Sequence, residues 1–180
     1  MIISEYTLCY KPQFHAFQVV NCGFLPCCPN CGCELRYRDL RKRIRRREGG
    51  VKERLIIRRL RCKGCRTYHN ELPDCLVPHK HYDAETISGV LDGVIKPTDA
   101  DSEDYPCLQT MLRWLNWLNF NLSLMEESLR RASRSVLYTG KDILSSGRTV
   151  LDTVRSSFPD WLERVLRVIY NSGRCLLPLY

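Results

Sequence analysis

No stretch of this 180-residue chain makes a convincing membrane span, because its longest apolar segment, "MLRWLNWLNFNLSLM", is interrupted by Arg and Asn and repeats with a helical period. The first residues, "MIISEYTLCYKPQ", lack the basic flank, apolar run and small-residue cleavage site of a signal peptide. A soluble, cytoplasmic protein without membrane contact is therefore expected. There is no P-loop, no G-x-S-x-G and no H-E-x-x-H, and Asp142, Asp152, Asp160 and Glu163 fall at helical-surface positions without a converging partner. No catalytic role is expected.

What the chain does have is cysteine, eleven of them, an odd number in a chain without an export signal. That argues against a secreted disulfide framework and for metal binding by the paired ones. Cys28-Pro-Asn-Cys31 and Cys62-Lys-Gly-Cys65 form a C-x2-C…C-x2-C frame. A tetrahedral zinc ion needs four ligands at close range, and each C-x2-C turn delivers two thiolates from one loop. Pro29 stiffens the first turn, and Gly32 permits the left-handed backbone such a knuckle requires. The second knuckle has Arg66 where the first has Gly32 and is less regular. Cys33 or His69 could replace one of the four, and His79 and His81 look like ligands on spacing alone, although H-x-H after Pro is more often a solvated or capping stretch. A redox role for Cys28 and Cys31 is the other chemistry a C-x2-C permits, and the duplicated pair favours metal. Cys27, Cys33, Cys9, Cys22, Cys75, Cys107 and Cys175 are expected to pack as small hydrophobes, with Cys27 pointing away from the metal.

Charge is concentrated between the two pairs. The net +8 is made of about −1 over residues 1–35, +12 over 36–66, −7 over 67–112 and +4 over the remainder. Between the knuckles, "ELRYRDLRKRIRRREGGVKERLIIRRLR" is centred on Gly49-Gly50, and its second arm is rich in β-compatible residues at Val51, Leu55, Ile56 and Ile57. A β-hairpin is predicted. The first arm is ambiguous, since Tyr37, Leu40 and Ile44 suit an amphipathic helix as well as a bulged strand. So cationic an arm fits a polyanion, and the candidate nucleic-acid contacts are Arg36, Arg38, Arg41, Lys42, Arg43, Arg45, Arg46, Arg47, Lys52, Arg54, Arg58, Arg59 and Arg61. A solvated basic face, or one bound to an acidic protein, is the alternative.

The rest reads as helices. Asp83 caps a helix carrying Ile87, Val90, Leu91 and Val94 and ended by Lys96-Pro97. A second starts near Ser102, has Pro106 in its first turn and runs through Met111, Leu112, Leu115 and Leu118 to Leu122, Met125 and Leu129. The pair allows a helix-turn-helix, although Asp99, Asp101, Glu103 and Asp104 would oppose phosphate. Two more helices are expected, through Val136, Ile143, Val150, Leu151 and Val154 and, after Pro159, through Trp161, Leu162, Val165, Leu166 and Ile169. The apolar end, "CLLPLY", should dock on the body or on a partner.

"CPNCG", the basic hairpin, "RRLRCKGCRTYHNELPD", "PHKHYDAETI" and "LRWLNWL" together resemble the amino-terminal zinc-ribbon and helix-turn-helix portion of bacterial insertion-sequence transposases and of a small transposase-related family. The likeness covers roughly residues 26 to 118. It implies metal at Cys28, Cys31, Cys62 and Cys65, DNA at the Arg-rich hairpin, and catalysis in a separate nuclease domain for which residues 119–180 have no room. The acidic stretch 99–104 departs from that pattern.

The expectation is an α+β chain, a zinc ribbon with a long basic β-hairpin followed by an α-helical bundle. Its parts would be an amino-terminal segment packing on the ribbon (1–25), the ribbon with its hairpin (26–80), a helix-turn-helix-like pair (81–118) and a helical carboxy-terminal region (119–180). It would bind nucleic acid, double-stranded DNA foremost, in the setting of a mobile element, phage or regulatory operon. The rival reading is an adaptor or an inhibitor of a nucleoprotein enzyme, with a protein partner on the acidic segment 67–112 or the carboxy-terminal helices.

Overall fold

A computed structural model of the chain describes residues 1–21, 27–47, 50–98, 106–132 and 149–178. Six strands, β1 (Ile2–Ser4), β2 (Tyr6–Lys11), β3 (Ala16–Asn21), β4 (Leu35–Arg46), β5 (Lys52–Cys62) and β6 (Tyr68–Pro73), form one sheet. Four helices, α1 (Ala84–Leu91), α2 (Leu108–Ala132), α3 (Val150–Ser157) and α4 (Trp161–Asn171), follow. The mixed α+β class is as expected, with strands first and helices after.

β5 organises the sheet. One edge carries β4 in antiparallel register from Leu35↔Cys62 to Arg46↔Lys52. The other edge is shared: β3 runs parallel beside Leu55 and Ile56, and β6 runs antiparallel beside Arg59, Leu60 and Arg61. β2 extends the β3 side and β1 the β6 side, so the amino-terminal segment is built into the hairpin's own sheet. The central position of β5 accounts for its run of Leu55, Ile56 and Ile57, buried at 0%, 5% and 0% exposure.

The ambiguous first arm is a strand. Its apolar residues Tyr37, Leu40 and Ile44 remain exposed at 59%, 44% and 49%, so no helical stripe is buried. A helix would also stack Arg38 on Lys42, Arg41 on Arg45, Lys42 on Arg46 and Arg43 on Arg47 at i,i+4, whereas a strand sends successive cations to opposite faces. A register shift between Tyr37 and Asp39 places a bulge at Arg38.

Asp83 caps α1, its carboxylate accepting from the Thr86 amide at 3.0 Å. α1 ends at Leu91 rather than at Lys96-Pro97, because Gly93 takes the left-handed conformation (φ 72°) that closes a helix; Val94 therefore lies beyond it and is 77% exposed. α2 begins at Leu108 with Pro106 outside its first turn; positions 102–105 lie outside the described residues. Residues 92–107 separate α1 from α2, far more than the three- to four-residue turn of a helix-turn-helix. α2 then runs unbroken through the boundary expected at 118, burying Met111, Trp114, Trp117, Asn121, Met125 and Leu129 along one face. Of the next predicted helix, Val136 and Ile143 lie outside the described residues, while Val150, Leu151 and Val154 form α3. α4 starts after Pro159 as expected.

One apolar core joins sheet and helices, from Ile3, Leu55, Ile57 and Leu72 to Ile87, Met125, Leu166 and Ile169. A smaller cluster of Ile2, Leu35, Leu60, Cys28 and Cys62 lies under the knuckles. Adjacent Ile2 and Ile3 thus serve different cores, as strand alternation dictates. The carboxy-terminal segment docks on the body: Leu176 is buried, and the Asn121 side chain accepts from the Leu177 amide at 3.0 Å and donates to its carbonyl at 3.3 Å.

Candidate metal centre and nucleic-acid interface

The four paired cysteines converge. Their sulfurs all lie within 4.8 Å of one another, with Cys28 Sγ 3.6 Å from Cys65 Sγ and Cys31 Sγ 3.4 Å from Cys62 Sγ. A tetrahedron with metal–sulfur bonds of about 2.3 Å has sulfurs roughly 3.8 Å apart, so the set can hold a metal ion with small adjustments. Four thiolates and no oxygen ligand constitute a donor set suited to zinc.

Two loops make the cluster. In the first, the Gly32 amide donates to the Cys28 carbonyl and the Cys28 amide to the Cys33 carbonyl, both at 2.8 Å, with Gly32 at φ 72°. In the second, the Cys62 amide donates to the Thr67 carbonyl at 3.0 Å, and Arg66 occupies the left-handed position at φ 60°. Both knuckles use the same backbone device, and the second does so without glycine. The Lys63 amide donates to the Glu34 carbonyl at 3.1 Å, tying the loops together across the base of the hairpin.

The thiols are electrically unequal. The Cys33 backbone amide and the Cys62 thiol lower Cys31 to about 6, whereas burial pushes Cys62 up to about 12. The Thr67 hydroxyl, 2.9 Å from Cys65 Sγ, lowers that thiol too. His69 is buried with Nε2 3.4 Å from Cys28 Sγ and 3.0 Å from the Thr67 hydroxyl, while its Nδ1 is 3.2 Å from the Met1 amino group. Thr67 and His69 are thus placed to orient the sulfurs from outside the cluster. Nothing in the spacing distinguished that support from ligation. Cys33, His79 and His81 are not among the clustered groups.

The expectation that the remaining cysteines are buried is corrected. Cys75 is buried, but Cys9, Cys27, Cys33, Cys107 and Cys175 are exposed, and Cys22 lies outside the described residues. Cys27 and Cys33 flank a surface loop whose inward directions are taken by Cys28 and Leu35, leaving no core for them; Cys27 bridges Glu34 and does not join the cluster.

The thirteen basic positions divide by environment. Arg36, Arg38, Lys42, Lys52, Arg54 and Arg61 are exposed, Arg43 is half-buried, and none of the seven forms an ion pair among the described residues. Arg41 lies 3.7 Å from Asp39, Arg47 lies 3.5 Å from Glu53, and Arg59 forks onto Asp39. Arg58 is half-buried and forks onto buried Glu71 at 2.6 and 2.9 Å. Arg46 packs over the Tyr82 ring at 5.5 Å. Arg45 faces inward, 3.6 Å from Glu53 and 3.5 Å from Asp83, and serves the interior.

At the end of the hairpin beside the cysteine cluster, Arg36, Arg38, Arg61, Lys63 and Arg66 line a shallow groove of about 410 Å³ with Tyr37. Lys63 and Arg66 belong to the knuckle itself, inside the +12 span but beyond the hairpin arms. Tyr68, half-exposed, lies under both Arg59 and Arg61 at 5.2 and 5.6 Å. Of the acidic segment 67–112, Glu71, Asp74, Asp83 and Asp92 pair internally with Arg58, Arg167, Arg45 and Arg155. No helix among the described residues is long and apolar enough to cross a membrane.

Residues 28–114 match the profile of a domain of unknown function, DUF6431. That span begins at the first clustered cysteine and ends in α2. A 51-residue stretch is 35% identical to envelope glycoprotein gp160 of human immunodeficiency virus type 1 group M subtype A (isolate Z321), covering 28% of this chain and 6% of that protein's length. No solved structure matches the chain.

Proposed function

We propose that the protein is a non-catalytic zinc-ribbon module that binds nucleic acid, double-stranded DNA foremost, related to the DNA-recognition portion of insertion-sequence transposases and acting in the cytoplasm. The observation that supports it best is the groove of Arg36, Arg38, Arg61, Lys63 and Arg66 at the edge of the cysteine cluster. Of these, only Lys63 has a salt-bridge partner, Glu34, among the described residues. Guanidinium groups presented from a strand pair match the spacing and geometry of phosphate oxygens, and exposed Tyr37 and Tyr68 offer faces for sugars or unstacked bases. Zinc would hold the two loops together and so fix the groove.

The test is fluorescence anisotropy of zinc-loaded protein with duplex DNA, single-stranded DNA and RNA across a salt series, beside a variant carrying Arg36→Gln, Arg38→Gln and Arg61→Gln. Binding should weaken steeply with salt, and the log–log slope should be shallower in the variant by about 1 for each phosphate that it no longer neutralises. Absence of binding at low salt by the folded, zinc-loaded protein would overturn the reading and favour the protein-partner alternative. For that alternative, α2 offers exposed Leu112 and Phe120.

A further inference from the structure

A second cationic site lies at the far end of β4, away from the cysteine cluster. The Arg46 amide donates to the His81 carbonyl at 2.7 Å and the Asp83 amide to the Arg46 carbonyl at 3.0 Å, pinning the segment 79–83 alongside the strand. The turn before it closes with the Lys80 amide on the Val77 carbonyl at 3.1 Å and holds His79 in the left-handed region at φ 65°. This segment and the first turns of α2 enclose a cleft of about 260 Å³ with Trp114 in its wall. Arg46, His79, Lys80, His81 and Arg113 line it, and among the described residues no lining residue is acidic.

Among the described residues, the cations here lack the counter-charges found elsewhere in the fold. Lys80 places Nζ 4.6 Å above the buried Trp117 ring, and burial brings its ammonium down to about 8. Among the described residues, Arg46 has a buried Nε with no acceptor, and its Nη1 lies 3.5 Å from the Tyr82 hydroxyl. Arg113 is exposed on α2 and forms no ion pair among the described residues. By contrast, Arg45, one residue along the strand from Arg46, is held between two carboxylates. An uncompensated, partly buried set of donors is costly without a ligand. A left-handed non-glycine residue at the same spot adds strain of the kind concentrated at binding sites.

We propose that this cleft binds a phosphoryl group through Lys80, Arg46 and Arg113, with the Tyr82–Trp114 edge as its apolar wall. Two guanidinium groups and an ammonium around one concavity suit the several oxygens of a phosphate better than the two of a carboxylate. The cleft is smaller than the roughly 300–1,000 Å³ of typical small-molecule sites, which fits a phosphate with its sugar rather than a dinucleotide. The physiological source would be either a free nucleotide or inorganic phosphate, or a phosphate on a nucleic-acid strand; only the second rests on the function proposed above.

The test follows the Trp114 and Trp117 indole resonances of the zinc-loaded full chain during titration with inorganic phosphate, thymidine 5′-monophosphate, thymidine and acetate. Short oligothymidylates with and without a 5′-phosphate form the second arm. Inorganic phosphate and the monophosphate should shift both indoles saturably while thymidine and acetate do not. Lys80→Met, which keeps the stem over Trp117, should weaken binding tenfold or more, and the surface change Arg113→Gln should weaken it several-fold with an unaltered melting curve. A preference for the 5′-phosphorylated oligomer over free phosphate assigns the site to a strand end, and equal binding assigns it to small phosphates. Acetate acting as phosphate does, or phosphate leaving the indoles unmoved at millimolar concentration, overturns the proposal. The two sites are separable: in the unsubstituted protein, duplex binding with silent indoles refutes only this cleft and phosphate shifts without duplex binding refute only the groove, while the Arg36, Arg38 and Arg61 variant should weaken duplex binding and keep the phosphate shifts.

Discussion

Gly32 and Arg66 occupy the same left-handed position after the second cysteine of each knuckle, at φ 72° and 60°. A Cβ on Gly32 would meet nothing within 4 Å, so Gly32→Ala isolates backbone strain and should lower stability by about 1–2 kcal/mol. Arg66→Gly should act in the opposite direction, raising stability by up to about 1 kcal/mol after the greater chain entropy of glycine is subtracted. Urea midpoints of the zinc-loaded proteins check both signs. Glu163 supplies a pH dependence: burial, followed by nearby Asp74, Asp160 and Glu85, raises its carboxyl to about 7 from 4.5. Between those values the folded state holds a proton that the unfolded state has lost, so this contribution to stability declines as pH rises from about 4.5 to about 7. Glu163→Gln should flatten that part of a urea-midpoint profile against pH.

At the scale of elements, one side chain of α4 bonds directly to the backbone of the sheet. Asn171 accepts from the Ile3 amide at 2.9 Å and donates to the Ile3 carbonyl at 2.8 Å, satisfying both groups of a β1 residue as a neighbouring strand would. Asn171→Leu leaves both backbone groups without this partner and should cost about 1–3 kcal/mol, read from thermal or urea unfolding. The hairpin shows the converse dependence, of an element on its position in the sheet. Its apolar pattern permitted a helix or a strand, and pairing with β5, together with repulsion between stacked cations, selects the strand.

Across the whole molecule, the cysteine cluster and the helical half are mechanically continuous. Gly173, two residues past the end of α4, sits so close to the first knuckle that a Cβ would lie 2.6 Å from the Pro29 carbonyl oxygen. Ile2 joins the cluster's apolar underside while Ile3 joins the main core and holds Asn171. Removing the proposed zinc by chelation should therefore release more than the two knuckles: amide exchange should quicken in residues 27–34 and 62–67 and also around 171–178, with α2 changing least. Hydrogen-exchange mass spectrometry with and without chelator reads this directly, and exchange confined to the knuckles would show the two parts to be independent.

Several features were determined by sequence alone because they are local. The C-x2-C turns bring paired thiols together within one loop, Gly49-Gly50 separates two strand-length arms, Asp83 caps its helix, and Pro159 precedes the last one. What required the tertiary structure was everything decided by a distant neighbour. Arg36 and Arg45 belong to the same basic run, yet one faces solvent and the other is buried between Glu53 and Asp83, because the segment 79–83 covers the far end of β4 and leaves the near end open. The acids of 67–112 formed a block in sequence, and in space four of them are dispersed onto arginines from β4, β5, α3 and α4. His69 reads as a spare ligand in the sequence and lies beside Cys28 as a hydrogen-bonding neighbour only because β6 returns along β5. Charge and spacing set which chemistry the chain carries, and long-range packing decides which of those groups remain available to a ligand.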